Sequence, residues 1–214
     1  ERMSRLINDL LSLSRVEMDE HLAPEGEVDL VVLAGEVIDF LRPQIEDKAI
    51  TLTLDVPDSV YAVGDRDQLT EVFQNLIENA IKYSPAKSGV LVRIEPGQMR
   101  DQAERPASML GEGAGRRTLA APKSTAADRF VTVRIQDQGR GIDRRDLPRL
   151  SERFYRVGGQ KSGPHEGTGL GLAIVKHIVN RHRGGFTVES VPGGGSVFSA
   201  FFPAAKRVAS FEES

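Results

Sequence analysis

Between Asp67 and Tyr83 the apolar residues return at helical spacing. At about 100° per residue, Leu69, Val72, Phe73, Leu76, Ile77 and Ala80 gather on one face. The opposite stripe holds Glu71, Asn75, Glu78, Asn79 and Lys82 within roughly 100° of arc. Such a helix must bury its apolar face against another layer. Its polar stripe is a first candidate for chemistry.

The second layer is legible as strands. Apolar and polar residues alternate at Ile50, Leu52 and Leu54, at Val90, Val92 and Ile94, and at Val131, Val133 and Ile135. Tyr61 to Val63 forms a short strand, and Phe186 to Ser190 and Val197 to Phe202 flank Pro192-Gly193-Gly194-Gly195 as a hairpin. A helix starts at an Asp29 N-cap and buries Leu33, Val37, Leu41 and Ile45, with a kink or interruption at Pro43. Further helices are predicted near Arg144 to Arg153 and from Leu170 to Arg183, the latter closed by Gly184 and Gly185. This order predicts an α+β fold: a two-layer α/β sandwich whose mixed, mostly antiparallel sheet carries helices on one face.

At the N-terminus, Met3, Leu6, Leu10 and Leu13, with Ile7 and Leu11 beside them, form a coiled-coil-like seam. It needs a partner helix; the plainer alternative is a terminal helix folded onto its own domain. The predicted layout is a helix over 1–17, a linker over 18–27, a domain over 28–205 and a tail over 206–214. Residues 96–129 are rich in Gly, Ala, Pro, Arg and Ser without periodicity, and read as a flexible insertion.

Composition removes several function classes. The 214 residues contain no cysteine, which excludes disulfides, a zinc ribbon and a thiol nucleophile. With 28 basic against 31 acidic residues, no broad positive field gathers nucleic acid. Apolar runs such as Leu30 to Ala34 fall far short of the ~20 residues of a membrane span, so no membrane segment is expected. The chain starts at Glu1 with no signal-peptide pattern and reads as a piece of a longer protein in a reducing, cytoplasmic compartment.

Two glycine-rich segments join the helix stripe as candidates. In D-Q-G-R-G-I, Asp137 to Ile142, a hydrophobic strand delivers a carboxylate into a turn with two glycines. G-T-G-L-G-L, Gly167 to Leu172, opens a helix, where unpaired N–H groups attract phosphate. Neither is a P-loop, because Lys161 follows Gln160 and no strand precedes it. Gly167 follows a loop rather than a strand, which argues against a dinucleotide fingerprint, and His165-Glu166 lacks the second histidine of a zinc protease.

Taken together, Asn75 to Ser84, Asp137 to Ile142, Ser151 to Arg156 (S-E-R-F-Y-R) and Gly167 to Leu172 resemble the asparagine, first glycine, phenylalanine and second glycine boxes of sensor histidine kinases. Glu1 to Glu17 resembles the second helix of that family's dimerisation and phosphoacceptor hairpin, and Val28 onward its catalytic, ATP-binding domain. The resemblance implies ATP and Mg2+, with Asn79 holding the ion and Asn75 and Lys82 on the phosphates. It implies Tyr83 against the nucleotide, Asp137 on the adenine amine, and Gly139, Gly141 and Ile142 around the base. Arg156 to Glu166 becomes a lid anchored by Phe154, with Arg156 on the phosphates or the partner helix. Gly167, Thr168, Gly169, Leu170, Gly171 and Leu172 form the lid's hinge and phosphate contacts.

Related ATPases of this fold activate water with a glutamate one turn before the metal asparagine, a position held here by Asn75, which cannot take a proton. The resemblance therefore implies phosphoryl transfer to histidine in a homodimeric, membrane-anchored parent, with a response regulator receiver domain as partner. His21, His165, His177 and His182 all lack the acceptor context, so the chain is expected to bind Mg-ATP without labelling itself. A conformational ATPase, with Glu71 or Glu78 as base, and a non-catalytic nucleotide-sensing module are the alternatives.

Overall fold

The computed structural model describes residues 2–18, 21–98, 110, 113–122, 129–158 and 167–206. The first helix is α1 (Arg2–Met18). It is followed by β1 (Glu27–Asp29), α2 (Leu30–Asp47), β2 (Thr51–Asp55), β3 (Tyr61–Val63) and α3 (Arg66–Tyr83). Then come β4 (Gly89–Gln98), β5 (Gly115–Ala120), β6 (Arg129–Asp137), a 3-10 turn (Leu147–Arg149), α4 (Gly171–Arg181), β7 (Gly185–Val191) and β8 (Gly195–Pro203).

The main sheet has the order β2-β4-β6-β8-β7-β5, and only the β2–β4 pair is parallel. Its register stacks apolar rungs on the helix side. Val92, Ile135, Phe198 and Val188 form one, and Ile94, Val133, Ala200 and Phe186 the next, all of them buried. Against these rungs lies the predicted face of α3, with Leu69, Phe73, Leu76 and Ile77 fully buried. Alternation along the strands thus becomes one core between sheet and helices. The α+β, two-layer expectation holds.

Local capping explains the helix starts. Asp29 accepts from the Val31 and Val32 N–H groups, and Asp65 from that of Gln68, each satisfying orphan donors. Pro43 lies inside α2, so of the expected kink or interruption the interruption does not occur.

Four other expectations need correction. Within 96–129, β4 continues to Gln98, and Gly115–Ala120 is a strand at the sheet edge whose register shifts between Thr118 and Ala120. The predicted linker ends in a strand, since Glu27–Asp29 pairs with β3. The helix near Arg144 to Arg153 reduces to the 3-10 turn, which Pro148 favours over a longer helix. At the end of α4 the left-handed residue is Arg183 (φ 55), not a glycine. Gly184 instead allows close approach, because a Cβ there would overlap the Phe201 carbonyl oxygen. Residues 207–214 of the predicted tail lie outside the described residues.

The N-terminal seam divides between two faces. Leu13 and Val16 are buried and Leu6 is partly buried as α1 packs on α4, while Met3, Ile7, Leu10 and Leu11 remain exposed. Half of the seam therefore folds onto its own domain.

Candidate functional site

A cavity of about 290 Å³ opens between α3, the turn after β6 and the start of α4. Its volume approaches that of ordinary small-molecule sites. Of the predicted residues, Asn75, Asn79, Lys82, Tyr83, Asp137, Gly139, Gly141, Ile142, Arg156, Gly167, Thr168, Gly169, Gly171 and Leu172 line it.

At one end, β6 delivers Asp137 into the cavity wall, buried at 5% exposure. The N–H groups of Gly139 and Ser196 both donate to Oδ1, at 2.8 and 3.2 Å. Oδ2 has no hydrogen-bond partner among the described residues, which leaves one acceptor for a ligand. Burial pushes this carboxyl above its ordinary range, and the two backbone donors only partly oppose it.

The turn that follows is locked onto the β7–β8 hairpin. Ile142 N–H donates to Ser190 Oγ at 2.8 Å and Gly193 N–H to the Arg140 carbonyl at 2.7 Å. Gly141 has φ +67, and a Cβ there would overlap the Val191 carbonyl oxygen, so both backbone and space demand glycine. Arg140, which sequence reasoning passed over, sits 6.0 Å from the Tyr83 ring centroid and donates to the Val157 carbonyl at 3.4 Å.

Along α3 the polar stripe forms the cavity floor. Asn75 Nδ2 donates to the Glu71 carbonyl at 2.9 Å. Its Oδ1 faces Gly171, where any Cβ would collide with it, so the second glycine segment makes room for the helix stripe. A Cβ at Gly167 would lie 3.3 Å from Lys82 Nζ, which brings the amine against the same loop. The end of α3 is fastened by Lys48, whose Nζ donates to the carbonyls of Ile81, Lys82 and Ser84 at 3.0, 2.7 and 3.1 Å.

At the far end α1 enters the site. Asp9 lines the cavity, and Thr168 Oγ1 donates to its Oδ2 at 2.5 Å. Ser12 Oγ donates to the Glu71 carboxylate at 2.6 Å, and Arg153 and His177 pair with Glu17. Burial holds the Glu71 carboxyl above its ordinary range; the Ser12 hydrogen bond opposes this and the neighbouring Asp9 charge adds to it.

Two predicted residues do not line the cavity. Phe154 is 55% exposed with φ 62, and its backbone N–H donates to the Gly169 carbonyl at 3.0 Å. Its neighbour Tyr155 lines the cavity instead, its hydroxyl held by Asp146 at 2.7 Å. Leu170 is fully buried in the core behind the loop. Of the predicted lid, residues 159–166, with His165, lie outside the described residues.

Residues 64–206 match the family described as histidine kinase-, DNA gyrase B-, and HSP90-like ATPase. The chain belongs to that family. Within it the resemblance is to the sensor histidine kinases. The phosphate regulon sensor protein PhoR of Pseudomonas aeruginosa is 31% identical over 205 residues, which is 96% of this chain and 40% of PhoR. The sensor protein kinase WalK of Staphylococcus haemolyticus is 32% identical over 197 residues, 92% of this chain and 28% of WalK. The chain thus spans less than half of these curated relatives. Among solved structures, full-length ShkA in complex with AMPPNP superposes with a TM-score of 0.68 at 23% identity, covering 95% of this chain and 36% of ShkA. The fold is that of the histidine kinase ATP-binding catalytic domain. Among the described residues no helix is long and apolar enough to cross a membrane.

Proposed function

We propose that the cavity binds Mg-ATP and that the domain transfers the γ-phosphoryl group to a histidine on a dimerisation hairpin helix. The observation that carries this reading is convergence. Asp137, the Asn75–Asn79–Lys82 stripe and the Gly167–Gly171 loop, far apart in sequence, line one cavity.

Asp137 Oδ2 accepts a hydrogen bond from the adenine amine and disfavours guanine, which would leave a buried acceptor unpaired at about 1–3 kcal/mol. Asn79 suits a divalent ion, since it is a half-buried residue of the cavity wall and an amide oxygen is a hard, neutral donor. When bound, Mg2+ neutralises charge on the phosphates. Lys82 and the N–H groups of the Gly167–Gly171 segment hold the phosphate oxygens. In the transfer, the γ-phosphorus bonds to an imidazole nitrogen of the acceptor as its bond to the bridging oxygen of ADP breaks. A neutral imidazole needs little help to attack, which suits a site with an amide, Asn75, one turn before Asn79.

In the whole protein the phosphoryl group passes on to an aspartate of a response regulator receiver domain. The exposed Met3, Ile7, Leu10 and Leu11 of α1 support a helical partner from a second copy. In a membrane-anchored parent this domain lies on the cytoplasmic side, where ATP is.

The test supplies the missing hairpin helix in trans with radiolabelled ATP and compares wild type with Asp137→Asn and Asn79→Ala. Both variants should lose label. Equal labelling by all three proteins contradicts the site assignment. A hydrolytic reading has one observation in its favour, the Glu71 carboxyl in the cavity with its raised proton affinity. Steady phosphate release above roughly 0.1 s⁻¹ without any acceptor would favour it.

A further inference from the structure

The cavity runs along α3, and its order is set by the helix. Tyr83 and the Asp137 turn stand at one end, because a Cβ at Gly139 would lie 2.8 Å from the Tyr83 carbonyl oxygen. Asn79, Asn75 and Glu71 follow at one-turn intervals, so Glu71 lies about 12 Å beyond Asn79 along the axis. At that far end Asp9 is hydrogen-bonded to Thr168, inside the loop that carries Gly167, Gly169 and Gly171. This contact joins residues 159 positions apart, and the Ser12–Glu71 bond and the buried Leu13 and Val16 hold the helix in place.

If adenine sits at Asp137, the last phosphate of a nucleoside triphosphate is the group farthest from it. It then competes with the Asp9 carboxylate for Thr168. Both are anions and both need the same donor, and neither neutralises the other. A diphosphate ends one group earlier and leaves the Asp9–Thr168 bond intact.

We propose that Asp9 is a specificity-determining residue that makes the α1-docked domain discriminate against the γ-phosphate, favouring ADP over ATP. Linkage then works in reverse: a triphosphate weakens α1 docking and a diphosphate does not. The inference rests on the nucleotide reading above.

The experiment measures ATP-analogue and ADP affinities by calorimetry, with magnesium, for wild type, Asp9→Asn and Asp9→Ala in the whole chain, using a non-hydrolysable analogue. Asp9→Asn keeps an oxygen for Thr168 and removes the charge, so it guards against simple loss of docking. Both variants should bind the analogue more tightly, on the order of tenfold, with ADP changed less than about twofold. Hydrogen exchange in wild type should show α1 amides losing protection with the analogue and keeping it with ADP. Equal changes for both nucleotides, or no change for either, overturn the role of Asp9 and leave the nucleotide site standing. If wild type binds neither nucleotide, the site reading itself fails, and this inference with it.

Discussion

The Nζ of Lys48 lies 2.7 Å from the backbone carbonyl oxygen of Lys82, and its two other contacts close the last turn of α3. A helix leaves its final carbonyls without intrahelical donors, and a cation there satisfies them while meeting the negative end of the helix dipole. The helix end so fixed carries Lys82 and Tyr83 into the cavity.

Lys48→Ala should therefore lower the unfolding free energy by about 1–3 kcal/mol, read from urea titration. It should also weaken ADP binding, because the end of the cavity floor is freed. Lys48→Met separates the two parts of the side chain. It keeps the aliphatic stem, so any stability it restores reports on packing, and the deficit that persists reports on the three carbonyls.

Gly141→Ala should be far more damaging. The residue has φ +67, and its Cβ would overlap the Val191 carbonyl, a backbone atom with no room to move. Strain of the left-handed backbone alone is on the order of 1–2 kcal/mol, and displacement of the hairpin adds to it. The expected result is a drop in thermal midpoint of more than 5 °C together with loss of nucleotide binding. Gly193→Ala provides the contrast, since its Cβ meets nothing within 4 Å although its φ is +79. It should pay only the backbone cost and keep its binding.

Asp137→Asn should separate stability from function. Burial raises the proton affinity of this carboxyl in the folded chain, so the folded state binds more protons than the unfolded state just above the ordinary aspartate value of 3.8. Stability from this group is greatest below that value and falls as pH rises through the raised one. The asparagine variant removes the cost of a buried charge. At neutral pH it should be at least as stable as wild type by urea unfolding, while adenine nucleotide affinity falls tenfold or more. A variant that unfolds more easily and binds ADP normally would show that Asp137 is only a turn brace.

Much of this architecture follows from period alone. The α3 stripe, the alternating strands and the glycine segments are local patterns, and each became an element or a cavity wall where its spacing placed it. What escaped is set by tertiary partners. Gly115–Ala120 shows no alternation and becomes a strand because β7 offers an unpaired edge. Asp9 meets Thr168 across 159 residues, and Lys48 meets the end of α3 across more than 30, distances at which no periodicity speaks. Tyr155, in place of the expected Phe154, lines the cavity for another reason. A left-handed backbone at Phe154 turns that ring to solvent and presents Tyr155, a reversal with no signature in the side chains. Arg183 likewise takes the left-handed position expected of the adjacent glycines, since those glycines are needed for contact with β8 and Pro122.

His182 supplies the last prediction. It is 2% exposed, with its ring edge-on to Phe202 at 5.8 Å. The Asp65 N–H donates to Nε2 at 3.0 Å, which requires that nitrogen to be bare. The proton therefore sits on Nδ1 and is donated to the Ile178 carbonyl at 2.7 Å. The neutral ring thus joins the end of α4 to the start of α3. Burial lowers its pKa from 6.5 to about 4; the Ile178 bond and Asp65 oppose the shift, and Arg181 adds to it. Between those two values the unfolded chain binds a proton that the folded chain refuses, so stability falls as pH drops from 6.5 toward 4, by up to about 1.4 kcal/mol per pH unit and about 3 kcal/mol in all. Below pH 4 both states are protonated and the loss stops growing. Other carboxylates titrate in the same range, so the measurement compares wild type with His182→Gln, whose amide oxygen can still accept from Asp65. The difference between their unfolding free energies should shrink steadily from pH 7 to pH 4. Parallel curves over that range would mean that the ring takes up its proton alike in the folded and unfolded chain, so that the buried bond to Asp65 does not hold it neutral in solution.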